Sequence, residues 1–314
     1  MVSKNATETL SADRAGIRRA AAILEAGGLV AVPTETVYGL AARADSAEAV
    51  AKIYQAKGRP SFNPLIVHAR DLAAAKKLAE FDERARQLAE RFWPGPLTLV
   101  LPLHADAGLA GAVTAGLPTL ALRVPDHPVM KDVLEALQLP LAAPSANASE
   151  TVSPTSAVHV LKTLDGRIDA VIDGGTTQRG LESTIVALRA DGGWNLLRHG
   201  PIAEAEIEAL LGPQNGVGSE RIEAPGQLAR HYAPGKPMRL DADTARDDEF
   251  HLGFGPVPGE WTLSASADLA EAAARLYAGL HRAAESDKPR IAVAPVPNVG
   301  LGAAINDRLR RAAA

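Results

Sequence analysis

Residues 11–40, SADRAGIRRAAAILEAGGLVAVPTETVYGL, decide the fold. Ser11 is a good helix cap, apolar residues recur at helical spacing as far as Glu25, and Gly27-Gly28 stops the run. Leu29-Val30-Ala31-Val32 then forms a short continuous apolar run ending at Pro33, the pattern of a buried strand. After it comes a polar loop, Pro33-Thr34-Glu35-Thr36-Val37-Tyr38-Gly39. Helix, buried strand and polar loop form the repeating unit of an α/β sheet, in which ligands gather beyond strand ends.

The alternation continues outward. Ser46 and Asp71 are expected to cap helices, the first ending near Gly58, and a further helix covers about Asp82 to Arg91. Strands are expected at 65–67, 97–103, 119–124, 141–143, 170–172, 184–188 and 195–197, with helices after Asp126, Pro154 and Pro201. The pattern breaks at Gly212. From there to Pro237 the chain is rich in Gly and Pro and carries neither period, which reads as a linker. Beyond it, strands at 238–240, 251–254 and 291–294 and helices at 268–285 and 302–311 make a smaller α/β unit. The expected organisation is a catalytic domain over 12–211, a linker or lid over 212–237, and a C-terminal domain over 238–314.

Composition narrows the chemistry. The 314 residues include 33 Lys plus Arg and 37 Asp plus Glu, a net charge of −4, which argues against a nucleic-acid binder held by bulk charge. Zero Cys excludes disulfides, Cys-ligated zinc, iron–sulfur clusters and a thiol nucleophile. The first residues, MVSKNATETLSADRAG, lack a signal-peptide apolar run, and no stretch is long enough to span a membrane, so a cytoplasmic protein is expected. P-loop, G-x-G-x-x-G, H-E-x-x-H and G-x-S-x-G motifs are missing, so any ATP use relies on another kind of site.

Four features carry chemistry. From Ala49 to Arg70 there is no acid, and Lys57-Gly58-Arg59-Pro60-Ser61-Phe62-Asn63-Pro64 would hold two cations on a stiff turn, suited to phosphate or to a helix C-terminus. Polar loops at 33–39, 144–147 and 182–184 sit at strand ends, where they serve either a small polar ligand or ordinary turn chemistry. Arg123, flanked by strand residues, wants an anion: an internal carboxylate or a ligand's. Arg198 poses the same question, and His68 ends an apolar run. Finally, the acid-free segment 224–237 places Arg230-His231-Tyr232 on the tether, fitted to close as a lid or to pack on the first domain.

Together these pieces resemble the threonylcarbamoyl-AMP synthase family. The matching stretches are PTETVYGL (33–40), KGRP with NPL (57–65), WPGPLTLVL (93–101), ALRVP (121–125), APSAN (143–147), ESTIV (182–186), LLRHG (196–200), RHYAPGKP (230–237) and GLGAAINDRLRRAA (300–313). The linker departs from the family at Ala224-Pro225-Gly226 and Gln227-Leu228-Ala229. The resemblance implies a twisted mixed sheet of YrdC-like type around a concave cavity, with a smaller Rossmann-like C-terminal domain. It implies ATP, L-threonine and bicarbonate as substrates, Mg²⁺ with the ATP, and delivery of threonylcarbamoyl-AMP to the tRNA-modifying machinery, with tRNA contact weak and no membrane. Carried over by position, Arg123 would hold the threonine carboxylate, with Thr36, His68, Ala143 and Ser183 completing that pocket. Lys57 and Arg59 would be the catalytic cations, facing ATP with Asn63, Ser145 and Asn147; Thr119, Ser153 and Arg198 would line the nucleotide site; Tyr232 would close over it. No protein-held metal is expected. The rival reading is an RNA-binding or ribosome-maturation protein without catalysis. The YrdC-containing carbamoyltransferase of hydrogenase maturation is excluded, since its zinc fingers need Cys.

Overall fold

The apolar runs pair into one ten-stranded sheet in the computed structural model, which describes residues 6–218, 222–227 and 231–314. The strands are β1 (Glu8–Ser11), β2 (Val30–Val32), β3 (Gly39–Arg43), β4 (Ile66–His68), β5 (Leu97–Pro102), β6 (Thr119–Arg123), β7 (Leu141–Ala142), β8 (Ala170–Asp173), β9 (Thr184–Leu188) and β10 (Trp194–Arg198). They run in the order β1-β8-β2-β3-β7-β4-β6-β5-β9-β10, with parallel and antiparallel neighbours mixed. The helices of this unit are α1 (Arg14–Glu25), α2 (Ala47–Lys57), α3 (Leu72–Ala75), α4 (Glu83–Phe92), α5 (Pro128–Leu137), α6 (Ala157–Leu164) and α7 (Glu204–Leu211). The smaller unit has four parallel strands, β11 (Met238–Arg239), β12 (Glu249–Gly253), β13 (Trp261–Thr262) and β14 (Arg290–Val293), ordered β11-β14-β12-β13. Its helices are α8 (Leu269–Glu285) and α9 (Leu301–Ala313).

Two differences from expectation have local causes. Ser11 does not cap α1. It ends β1, which pairs with β8, and Asp13 caps the helix instead by accepting from the backbone N–H groups of Ala15 and Gly16. The sheet therefore begins before residue 12. Strand β3, Gly-Leu-Ala-Ala-Arg, was not foreseen, because Ala has little intrinsic strand preference; antiparallel pairing with β2 imposes the extended form.

Successive strand residues face opposite sides of a sheet. One side, carrying Leu40, Val67, Leu99, Leu122 and Val186, packs beneath α2, α4 and α6. On the other side, Val30, Val32 and Ala170 are covered by α1 and α5. That cover stops halfway along the sheet. Ile66, Ala121 and Ile185 form a small separate cluster that meets Ala224 of the linker. Two residues on from Ile66 and Ala121 come His68 and Arg123, and two before Ile185 comes Ser183. The face that no helix covers thus continues into three polar side chains.

The linker holds no helix or strand among the described residues. It is tied back by bonds from Gly216 N–H to the Trp194 carbonyl and from Ala233 N–H to the Glu150 carbonyl. The readings made on Leu228, Ala229 and Arg230, and on Met1 to Asn5, lie outside the described residues. A second apolar core gathers Phe250, Leu276, Tyr277 and Ile305 of the smaller unit with Val37, Val152 and Leu181 of the larger and Tyr232 of the linker.

Candidate active site

The bare face of the sheet, closed over by the linker, bounds a cavity with about 40 Å³ of free space. Every residue expected around threonine lies on its wall: Thr36, His68, Arg123, Ala143 and Ser183. Their convergence follows from register. His68 ends β4 directly opposite Arg123 at the end of β6, with Leu141 of β7 on its other side. Thr36 comes from the loop after β2, which the Thr34 hydroxyl fastens by donating to the Val37 carbonyl and accepting from the Thr36 and Val37 N–H groups.

Arg123 has an internal partner, one of the two possibilities the sequence leaves open. Its Nη2 pairs with Glu35, its Nη1 donates to Thr36 Oγ1 at 3.0 Å and its Nε to the Gly95 carbonyl at 3.1 Å. A guanidinium has five N–H donors, so two remain. Glu35 is itself held in place, since its second oxygen accepts from the Asp126 N–H. The result is an arginine fixed in place at the cavity wall with two donors to offer a carboxylate. His68 beside it has a buried Nδ1 without a partner, and burial, with the Arg123 charge second, pushes its pKa down to about 3. It is a neutral ring at ordinary pH.

Of the residues expected around ATP, Arg59, Ser145, Arg198 and Tyr232 line the cavity. Arg59 is braced by the Asn63 and Pro64 carbonyls, and burial brings its pKa down to about 10. Arg198 donates to the Ser183 carbonyl and hydroxyl and to the Pro225 carbonyl. Tyr232, with φ of 64°, is packed against Tyr277 and His231. The others sit elsewhere. Lys57 lies behind the wall: its ammonium donates to the Ser145 and Asn147 carbonyls, tying the end of α2 to the loop after β7, and burial, with Arg59 second, holds its pKa well below the usual lysine range. Asn63 and Asn147 are buried in that layer too, each with an unpartnered Oδ1. Ser153 donates to Glu182. Thr119 opens β6 opposite Pro102, four residues from Arg123, roughly 13 Å along an extended strand, and is off the wall.

Six buried side-chain polar atoms lack a hydrogen-bond partner among the described residues, and two of them, on His68 and His231, belong to residues that line this cavity. Buried polar groups are ordinarily satisfied, so these two open ring nitrogens are available to a polar group entering the cavity. His231 is also neutral: burial is the main cause that brings its pKa to about 3.

Sequence reasoning missed Glu35 and Glu182 as individuals, although both stand inside quoted motifs. Glu182 lines the cavity and accepts from Ser153, Tyr277 and Arg308. Burial would raise its pKa, but the Arg308 and Arg198 charges prevail and hold it at about 2. The signal for both was the same: a lone acid in a strand-end loop in a chain with two strand-flanked arginines.

Comparisons with known proteins agree over the full length. The family model described as Telomere recombination (Sua5, YciO, YrdC) matches residues 22–200, and the model described as Threonylcarbamoyl-AMP synthase, C-terminal domain, matches 202–314. A Bacillus subtilis protein named threonylcarbamoyl-AMP synthase is 42% identical, the alignment covering 98% of this chain and 95% of the relative. The crystal structure of P. abyssi Sua5 complexed with L-threonine superposes with a TM-score of 0.87 at 36% identity, covering 98% of this chain and 97% of that one. E. coli YciO shares the fold, with a TM-score of 0.54 at 23% identity over 62% of this chain and 95% of its own.

Proposed function

The chain belongs to the threonylcarbamoyl-AMP synthase family, and on that premise we propose that it is an L-threonylcarbamoyladenylate synthase, a nucleotidyltransferase that makes threonylcarbamoyl-AMP and pyrophosphate from L-threonine, bicarbonate and ATP. The observation that carries the reading is one cavity that sets a fixed Arg123, with two donors to spare, beside the cations Arg59 and Arg198. An amino acid's carboxylate suits the first and a polyphosphate the others.

The chemistry needs no protein nucleophile. The threonine amine attacks bicarbonate and water leaves, giving N-carboxythreonine. Its carboxylate oxygen attacks the α-phosphorus of ATP while the bond to the β-phosphate oxygen breaks and pyrophosphate departs. The protein's share is positioning and charge neutralisation. Arg123 and Thr36 anchor threonine, and neutral His68 with its open Nδ1 offers a hydrogen bond without adding charge. Arg59 and Arg198 face the phosphates, while Lys57 shapes the loop that carries Ser145. Mg²⁺ belongs to this reading as the counter-ion ATP brings with it. Among the described residues no group of three or more His, Asp or Glu converges on a metal site, and the Glu35 and Glu182 oxygens are already engaged. The free space of about 40 Å³ is far below the roughly 300–1,000 Å³ of ordinary ligand pockets, so Pro225, Gly226, His231 and Tyr232 must draw back to admit a nucleotide.

The product serves N6-threonylcarbamoyladenosine formation on tRNA in the cytoplasm, by hand-over to the transferring machinery. Among the described residues no helix is long and apolar enough to cross a membrane. No observation favours the RNA-binding reading without catalysis. The test is incubation with ATP, Mg²⁺, bicarbonate and each of threonine, serine and valine, following pyrophosphate and the adenylate by mass. Threonine-dependent release of both is expected; ATP binding with no adenylate formed from any of the three would overturn the proposal.

A further inference from the structure

Among the described residues, Arg308 is the largest charged side chain sealed completely from solvent, at 0% exposure, and it does not line the cavity. It stands on α9 of the smaller unit, yet two of its contacts reach into the larger one and a third meets the linker. Nε donates to Glu182 at 2.9 Å, the residue before Ser183. Nη2 donates to the His199 carbonyl at 2.8 Å, the residue after Arg198. The guanidinium carbon sits 5.2 Å from the centre of the Tyr232 ring. Nη1 pairs at 2.8 Å with Asp307, its own neighbour on α9. Tyr277 of α8 supports the same point, donating to Glu182 at 2.8 Å and stacking on Tyr232.

Three segments far apart in the chain meet at the nucleotide side of the cavity: the loop before β9, which carries Glu182 next to Ser183 of the threonine pocket, the end of β10 and the linker. Arg308 touches all three. It also places a positive charge against Glu182, whose carboxylate would otherwise face an incoming triphosphate. The segments that carry Thr36, His68 and Arg123 make none of these contacts. We infer that Arg308 is a positioning residue for the nucleotide half of the reaction, through which the C-terminal domain assembles and neutralises the ATP wall. The inference rests on the synthase reading above and gives the second domain a part in it.

The test uses the full-length chain and pyrophosphate release, with KM measured separately for ATP and threonine. Arg308→Lys keeps the charge, but one ammonium cannot reach Glu182, Asp307 and the His199 carbonyl in the planar fork that arginine presents. It should raise KM for ATP about tenfold and leave KM for threonine within about threefold. Arg308→Met should raise KM for ATP further, and adding Glu182→Gln to it should recover at least fivefold, because the uncompensated acid is gone. Packing loss alone would not be rescued in that way. Thermal melts identify any variant that does not fold, in which case Arg308→Lys carries the test. If Arg308→Lys melts as the parent and keeps the parent KM for ATP, or if both KM values rise equally, the role is overturned. A parent protein that releases no pyrophosphate overturns the synthase reading, and this inference with it.

Discussion

The two ends of the cavity are built in different ways. At the amino-acid end, Arg123 and His68 are held by strand register and Thr36 by one tight loop, with Glu35 as the counter-charge, all within a single sheet. At the nucleotide end, Arg198 and Tyr232 come from separate segments, which Arg198 itself ties to the Ser183 loop and to Pro225 and which Arg308 of the second unit braces from behind. The first end is formed wherever the large sheet is folded. The second takes part of its support from the docked smaller unit.

The largest effect should come from Arg123→Gln, which removes the carboxylate anchor. It is expected to cut kcat/KM for threonine about 10³-fold, the scale of losing a buried, hydrogen-bonded charge, with KM for ATP changed less than about threefold. Equal damage to both substrates would erase the distinction between the ends. Next, Arg59→Met should lower kcat/KM for ATP about 10²-fold, with KM for threonine measured alongside to show that the loss stays at its own end. Glu35→Gln, nearly isosteric, should leave Arg123 in place but less firmly oriented; KM for threonine rising about tenfold, with that for ATP constant, would sharpen the comparison.

The smallest effect is on stability against pH. His68 in the site, and His159 and His281 stacked across the seam between units, have pKa values pushed down mainly by burial, to about 3, about 3 and about 4. The unfolded chain takes up these protons below about pH 6.5 while the folded one refuses them until about pH 3 to 4. Stability should therefore fall as pH drops through that window. Between pH 7 and pH 5 each such histidine should cost about 2 kcal/mol at most. Urea unfolding at the two pH values measures it, and His68→Asn or His159→Asn should each reduce the loss by one share. A loss that neither substitution reduces would show that the acid sensitivity arises elsewhere.

Much of the fold was readable because periodicity is local. The strands at 184–188 and 119–123 and the helices capped by Ser46 and Asp71 follow from residues within one window. Strand β3 was not readable, because partner strands rather than its own Ala residues make it extended. In the site, the threonine residues could be placed because motif and strand end coincide there. Lys57 was expected on the wall and stands behind it, since only three-dimensional packing turns its ammonium toward two carbonyls. Thr119 opens the same strand that ends in Arg123, and a motif match says nothing about which end of a strand meets a cavity. Arg308 stands inside the quoted stretch at 300–313 but nothing there singles it out: an arginine near the end of an amphipathic helix reads as a solvated charge, and only docking seals it.

The apolar core shared by the two units has a practical consequence for anyone dissecting the protein. A fragment ending at residue 211 would lay Val37, Val152 and Leu181 bare to water and strip Glu182 of Arg308, its directly paired countercharge. Such a piece would be sticky where it should be smooth and negative where it should welcome phosphate. The halves are better regarded as one machine that happens to be threaded through a long strap than as an enzyme with an appendage.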